Sequence, residues 1–349
     1  MTSYSASIPA LNTPLEIHPI PIPNPTSNEI LIRTHAIAIN PIDAAFQTIP
    51  NIFPWLAYPL TPGLDVAGEV TAVGSSVSRF KPGDRVLGMA AGSCRPPPDY
   101  NLAETGFQQY TILKAGLAAH IPDAVPYVQA AVLPLAVSTV ASGLFQGDLL
   151  GLELPRVHPH PDGDSRKQVL LVWGGSSSLG CNAIQLAVAA GYDVVTTCSP
   201  RNFELVKGLG ARWVVDYNSS TAVEVLVAAF EGRDGVGALA IMPGSVDLCA
   251  QVVGRVSGRK FVTSAIPLQP GQEKIGDVEV KFVLGGTLEG NEVGPAIFED
   301  YLPRALAEGK YVCAPEAKVV GKGLESCQKA LDMMKEGVSA TKLVVDLSD

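Results

Sequence analysis

Val169-Leu170-Leu171-Val172-Trp173-Gly174-Gly175-Ser176-Ser177-Ser178-Leu179-Gly180 decides how this chain is read. An apolar run of strand character drops into a turn of glycine and serine, and a helical run from Asn182 to Ala190 follows. In that order a dinucleotide's pyrophosphate rests on the free amides of a helix N-terminus, where the helix dipole favours negative charge. Glycines let the backbone come close to the phosphates. The spacing departs from G-x-G-x-x-G, so an ordinary glycine-rich turn between strand and helix stands beside the dinucleotide reading.

The next segment adds weight to the dinucleotide. In such folds the second strand ends about 20 residues past the glycine turn, beside the adenine ribose. Here that strand is Tyr192-Asp193-Val194-Val195-Thr196-Thr197-Cys198, and its loop is Ser199-Pro200-Arg201-Asn202. A carboxylate there accepts from the ribose 2′-hydroxyl and selects NAD. This loop has none. Hydroxyl, guanidinium and amide suit a 2′-phosphate instead, which arginine binds through paired charge-assisted bonds. NADPH is therefore the expected coenzyme, with a merely solvated Arg201 as the plainer alternative.

At 349 residues the chain is too long for one small core, and two domains are expected. Hydrophobic residues make up 47% and charged residues 17%, a composition for a packed globular enzyme rather than a disordered chain. A net charge of −9 argues against nucleic acid, which calls for a basic face. No stretch approaches the roughly 18 uninterrupted apolar residues of a membrane span. The first ten residues lack a basic start and apolar run, so no secretion signal is expected. Cys94, Cys181, Cys198, Cys249, Cys313 and Cys327 are scattered without paired spacing, which fits reduced thiols in the cytoplasm. His158-Pro159-His160-Pro161 lies in a Pro-, Asp- and Gly-rich stretch and reads as a solvated loop, not a metal site. The chain is expected to work as a monomer.

The first third reads as strands punctuated by turns: Ile30 to Ile39, Gly63 to Gly74, and Lys81-Pro82-Gly83-Asp84-Arg85-Val86 turning into a further strand. Ala124 to Leu150 is Ala-rich and mostly helical, with starts at Pro126 and Pro134. From Gln168 onward strands alternate with helices. The strands are Val169–Trp173, Val194–Cys198, Trp213–Val215, Ala238–Met242 and Lys260–Ser264; the helices include Phe203–Leu209 and Val246–Val253. Such alternation predicts a parallel sheet covered on both faces. Asp300–Gly309 and Gly323–Glu336 read as helices, and Lys342–Leu347 as a strand returning to complete the first domain.

Taken together, these segments resemble the medium-chain dehydrogenase/reductase superfamily over essentially the whole chain. The matching residues are Asn40-Pro41-Ile42-Asp43, Pro62-Gly63-Leu64-Asp65-Val66-Ala67-Gly68-Glu69-Val70, Phe80-Lys81-Pro82-Gly83-Asp84-Arg85-Val86, Gly106-Phe107-Gln108-Gln109-Tyr110, Leu133-Pro134-Leu135-Ala136-Val137-Ser138-Thr139-Val140-Ala141, the glycine turn, and Leu209-Gly210-Ala211-Arg212-Trp213-Val214-Val215-Asp216-Tyr217. The resemblance implies an α/β fold: a GroES-like β-rich catalytic domain over residues 1–140, completed by 300–349, plus a Rossmann domain with a doubly wound parallel sheet over 141–299. Catalytic zinc needs Cys, His or acidic ligands at defined places, and structural zinc four clustered cysteines. The first ligand position falls in Pro41–Asp43 without a cysteine, Gly63-Leu64-Asp65 replaces the Gly-His-Glu of the zinc branch, and Cys94 is alone in its region. A zinc-free member is expected.

Quinone reductases carry a further glycine where this chain has Ser177. Trp173 to Ser177, Thr197 to Phe203 and Gly337-Val338-Ser339-Ala340-Thr341-Lys342-Leu343-Val344-Val345 are instead similar to fungal trans-acting enoyl reductases, which partner polyketide synthases or hybrid polyketide–peptide synthetases. That likeness implies hydride transfer from NADPH to the β-carbon of an α,β-unsaturated carrier-bound thioester. By the same likeness Thr139 is the catalytic hydroxyl, holding the nicotinamide carboxamide or the enolate oxygen, unless it merely bonds its own helix backbone. Ile42, Asp43, Ala44, Ala45, Ser339 and Ala340 border the nicotinamide; Gly175, Ser176, Ser177 and Ser178 hold the pyrophosphate; Ser199, Pro200, Arg201 and Asn202 hold the 2′-phosphate, and Tyr217 the adenosine. Substrate-lining residues are Thr139, Val140, Ala141, Ser142, Gly143, Leu144, Phe145 and Gln146, with Val283, Leu284, Gly285, Gly286 and Thr287. Ala45 stands where several relatives have a Lys or Tyr able to donate a proton, so no donor is nominated. A quinone or enone reductase on free small molecules and a non-catalytic synthase partner are the alternatives.

Overall fold

The computed structural model describes residues 2–158 and 167–348, and its chain divides into two compact units. One comprises Met1–Leu135 with Cys313–Asp349, the other Ala136–Val312. The return to the first unit thus comes at Cys313 rather than at 300. Local bonds explain the later crossing: Tyr311 Oη donates to Asn182 Oδ1 at 2.7 Å, and Gln185 Oε1 takes the Val312 amide at 2.8 Å while its Nε2 donates to the Val312 carbonyl. These bonds hold the segment on the second unit.

The first unit is built on a mostly antiparallel sheet of seven strands among the described residues. Its order is Glu316–Lys322, Thr341–Asp346, Glu29–Ala38, Asp65–Val73, Arg85–Met89 and Ala118–His120, with Tyr110–Lys114 pairing the Glu29–Ala38 strand. Ile30, Ile32, Ile37, Val66, Val70, Val86, Leu343 and Val345 point into one core from these strands. The expected return of the last strand is observed, since Val344 pairs with Ala38. A separate ribbon, Thr2–Ser7 with Glu16–Pro21, was not expected from the hydrophobic pattern.

The second unit holds a sheet ordered Trp213–Asp216, Asp193–Cys198, Gln168–Trp173, Asp234–Ala240, Phe261–Ser264, Val278–Phe282, parallel throughout, with Lys274–Ile275 added antiparallel at the edge. Val169, Leu170, Leu171 and Val172 are all completely buried, as a parallel strand covered on both faces demands. Strand order reverses direction between Gln168–Trp173 and its neighbour Asp234–Ala240, and ligands of such sheets bind at the carboxyl ends there. The glycine turn stands at that end.

Element ends differ from expectation in identifiable ways. The strand expected at Ala238–Met242 runs Asp234–Ala240, because its glycine-rich opening pairs despite a register shift between Gly235 and Gly237. The helix expected from Asp300 is entered through a π-turn at Ala296–Tyr301 and continues as Leu302–Ala307. Tyr127–Phe145 is apolar enough by length and composition to cross a membrane, yet 83% of its best window is buried within the protein. It is a core element, in which Tyr127–Ala130 and Pro134–Phe145 are separate helices. Of the stretch His158-Pro159-His160-Pro161, His158 alone falls within the described residues, and its Nε2 lies 3.2 Å from Glu308 Oε2.

Candidate coenzyme site and active-site helix

In the second unit the glycine turn is shaped by hydrogen bonds that the sequence does not announce. Ser177 is the N-cap of the helix Ser178–Ala189: its hydroxyl accepts from the Gly180 amide at 3.0 Å and donates to the Gly174 carbonyl at 2.7 Å. Its amide also donates to the Gly174 carbonyl at 3.1 Å, so Ser177 is committed to shaping the turn. Ser178 is different. Its Oγ is buried without a hydrogen-bond partner, a costly state that an added acceptor relieves. A Cβ on Gly175 would stand 2.1 Å from Thr196 Oγ1, and Thr196 is itself tied to the Val172 carbonyl at 2.7 Å. The turn thus lies tight against the sheet, with helix amides and a free hydroxyl beside it. These features fit a pyrophosphate.

The loop after the second strand is joined to that turn. Asn202 Nδ2 donates to Ser176 Oγ at 3.1 Å, and Ser199 Oγ meets Tyr217 Oη at 2.9 Å. Pro200–Asn202 forms a short 3-10 turn with Arg201 exposed. Tyr217 is 45% exposed, so it is not a packed core aromatic. Ser176, Ser199, Asn202 and Tyr217 are therefore brought together, with Arg201 beside them.

On the helix Pro134–Phe145 the expected lining residues divide by burial. Val140, Ala141, Ser142 and Leu144 are fully buried, and Phe145 is nearly so. Ser138 Oγ donates to the Gly285 carbonyl, Gln146 Nε2 to Thr287 Oγ1 at 3.1 Å, and Thr287 Oγ1 to Ser142 Oγ at 3.3 Å. Positions 138, 142 and 146 are one turn apart, so this hydroxyl-and-amide face clasps the Gly285–Thr287 segment. Gln146, Val283, Leu284 and Thr287 border a depression of about 310 Å³ with Leu149 and Phe282. Thr139 is 8% exposed, and its hydroxyl bonds to none of the described residues, whereas Ser142 Oγ bonds back to the Ser138 carbonyl. The self-bonding alternative does not describe Thr139.

The first unit carries a buried polar cluster that sequence reasoning left unconnected. Asp43, third in the helix Pro41–Thr48, reaches back to the Asn40 amide at 2.8 Å and accepts the Gly63 amide at 3.0 Å. Asn40 Nδ2 donates to Asp65 Oδ2 at 2.9 Å, and Lys342 Nζ meets the same oxygen at 2.8 Å. Lys342 also donates to Asn40 Oδ1. Asp43 is fully buried, so its carboxylate serves the backbone, while Ile42 and Ala45 on the same helix remain part-exposed. Gln47, on that helix, accepts from Lys335 Nζ at 2.6 Å and bonds Gln328, joining it to the helix Ser326–Glu336. Beyond that helix Ala340 takes a left-handed φ of 49°, unusual for a residue with a side chain. Both segments expected to border the nicotinamide are thus braced within this unit. A lysine opening an apolar strand, and an aspartate between Leu64 and Val66, were the available signals. Asp65 is taken up by these bonds, and no group of three or more His, Cys, Asp or Glu placed to hold a metal occurs among the described residues.

Burial pushes the Asp43 carboxyl up to about 7; the Asn40 amide opposes this, the Asp65 charge adds to it, and Lys342 and the Gly63 amide oppose it further. A carboxyl raised in the folded state binds its proton more tightly there than when unfolded. Its contribution is complete below the usual value of 3.8 and is lost as pH rises through about 7. Asp43 by itself therefore lowers the melting temperature as pH rises between those limits, and Asp43→Asn should remove that contribution. An unchanged slope in thermal melts of the variant counts against this assignment.

Residues 26–123 match the alcohol dehydrogenase GroES-like domain family. Dehydrogenase azaJ of Aspergillus niger is 47% identical, covering 99% of this chain and 99% of that protein. The enoyl reductase component lovC of the lovastatin nonaketide synthase of Aspergillus terreus is 30% identical, over 94% of this chain and 91% of that protein. Among solved structures, the CurK enoyl reductase shares the fold with a TM-score of 0.76 at 20% identity, covering 99% of each chain.

Proposed function

This chain belongs to the medium-chain dehydrogenase/reductase superfamily, among its enoyl-reductase-like members, and on that premise we propose that it is an NADPH-dependent trans-acting enoyl reductase. It reduces an α,β-unsaturated thioester carried by a polyketide synthase or a hybrid polyketide–peptide synthetase. The observation that carries the coenzyme reading is the unpartnered Ser178 hydroxyl in the glycine turn, beside a ribose loop with Arg201 and no carboxylate. Support for the substrate comes from lovC, named as the enoyl reductase component of a synthase.

When bound, the nicotinamide nucleotide supplies the hydride. The chain's own residues bind and orient. The amides of Ser176, Ser178 and Leu179 and the Ser178 hydroxyl receive the pyrophosphate, and Arg201, Ser199 and Asn202 receive the 2′-phosphate. The Thr139 hydroxyl donates to the carboxamide or to the thioester oxygen, where negative charge develops. The depression bordered by Gln146, Leu149, Phe282 and Leu284 gives apolar surface to the acyl chain. Ala45 contributes no proton, so water supplies the proton that the α-carbon takes up after the hydride reaches the β-carbon.

Turnover comparison tests this reading. The protein is given NADPH with an enoyl group on a carrier protein, on pantetheine, and with free quinones and enones. The carrier-bound thioester is expected to be reduced fastest. Faster reduction of free quinones or enones would overturn the proposal, and coenzyme binding without turnover of any of them would make the protein a non-catalytic partner.

A further inference from the structure

Asp65 and Lys342 form an ion pair in the interior of the first unit, 0% and 3% exposed respectively. Asp65 Oδ2 is fixed by Lys342 and Asn40, as described above. Its other oxygen, Oδ1, accepts the backbone amide of Leu135 at 2.5 Å. Leu135 is the second residue of the helix Pro134–Phe145, and its amide is one of those that no intrahelical carbonyl can reach. The residue before the helix is Leu133, which has no side-chain oxygen to cap it. A carboxylate from a distant strand supplies that cap, with its charge at the positive end of the helix dipole.

Thr139 lies four residues beyond Leu135, on the same face one turn along. Fold stability alone accounts poorly for such a pair. Replacing buried ion pairs by apolar side chains is often neutral or stabilising. What the pair provides is direction: three donors on two oxygens fix the carboxylate, and the carboxylate fixes the first turn of the helix. We propose that Asp65, oriented by Lys342 and Asn40, is a positioning residue that sets Thr139 for hydride transfer by pinning the start of its helix. The inference rests on the role of Thr139 proposed above.

The test is a double-mutant cycle between Asp65→Asn and Thr139→Val, with kcat normalised to titrated NADPH sites. An amide has an acceptor on one side only, whereas both sides of Asp65 face donors, so Asp65→Asn must lose one of these bonds. It should lower kcat about tenfold while NADPH affinity stays within about twofold. In the Thr139→Val background the same change should cost less than about twofold. The primary isotope effect with deuterated NADPH should rise in Asp65→Asn, which a mere loss of folded protein would not produce.

If Asp65→Asn does not fold, the pair Asp65→Asn with Lys342→Met, which leaves no lone buried charge, enters the same cycle. Equal losses in both backgrounds, or no loss in either, would overturn the inference while leaving the role of Thr139 standing. A Thr139→Val enzyme as fast as the parent would remove that role and this inference with it.

Discussion

Gly180→Ala is expected to weaken NADPH binding by roughly 10- to 100-fold, since displacing the helix amides from the pyrophosphate loses hydrogen bonds to a charged group worth about 1.5–3 kcal/mol. A Cβ at this position would stand 2.2 Å from the Gly174 carbonyl oxygen and 2.6 Å from the Gly175 Cα. Both atoms belong to the backbone of the glycine turn, so no side chain can swing aside. The helix must draw back from the turn, and the Ser177 cap on the Gly180 amide is disturbed with it. Overpacking of this kind also costs about 1–3 kcal/mol of stability. Fluorescence titration with NADPH and a thermal melt measure the two effects. Gly208→Ala is the control, because a Cβ there meets nothing within 4 Å. Equal NADPH affinity in Gly180→Ala and the control would mean that the turn does not hold the coenzyme.

The second large effect concerns coenzyme choice. Arg201→Ala is expected to weaken NADPH by roughly 10- to 100-fold, corresponding to the 1.5–3 kcal/mol of a hydrogen bond to a charged group. NADH should change by less than about threefold, because it lacks the phosphate that the guanidinium grips. Arg201→Glu should go further and favour NADH, since a carboxylate accepts from the ribose 2′-hydroxyl and repels the phosphate. The ratio of the two dissociation constants is the readout. Arg201 is exposed, so these substitutions leave the core intact. A ratio unchanged by both would return Arg201 to the status of a solvated surface residue.

The Rossmann unit was the more legible half because its central strands are buried on both faces and appear as unbroken apolar runs, as in Val169–Val172. Legibility falls where burial is partial. Thr2–Ser7 is a strand rich in serine, Glu316–Lys322 is mostly exposed at the sheet edge, and Val278–Phe282 alternates with exposed Glu279 and Lys281. Pairing with neighbours, rather than local pattern, makes these segments strands. The site shows the same division. The glycines and serines of the turn at Gly174–Ser178 are contiguous and could be read together. The cluster of Asn40, Asp65 and Lys342 joins segments up to 302 positions apart, and only the fold brings them into contact. Ser177 shows a third limit: its substitution for glycine was visible, but its use as a helix cap was not.

The decisive experiment follows the hydride itself. The protein is mixed with NADPH carrying deuterium at the transferable position and an enoyl thioester on pantetheine, and the product is analysed by mass spectrometry and NMR. The expected product is a saturated thioester with a single deuterium on its β-carbon. Product without that deuterium, or unreacted thioester from protein that demonstrably binds the coenzyme, would contradict hydride transfer to the enoyl group.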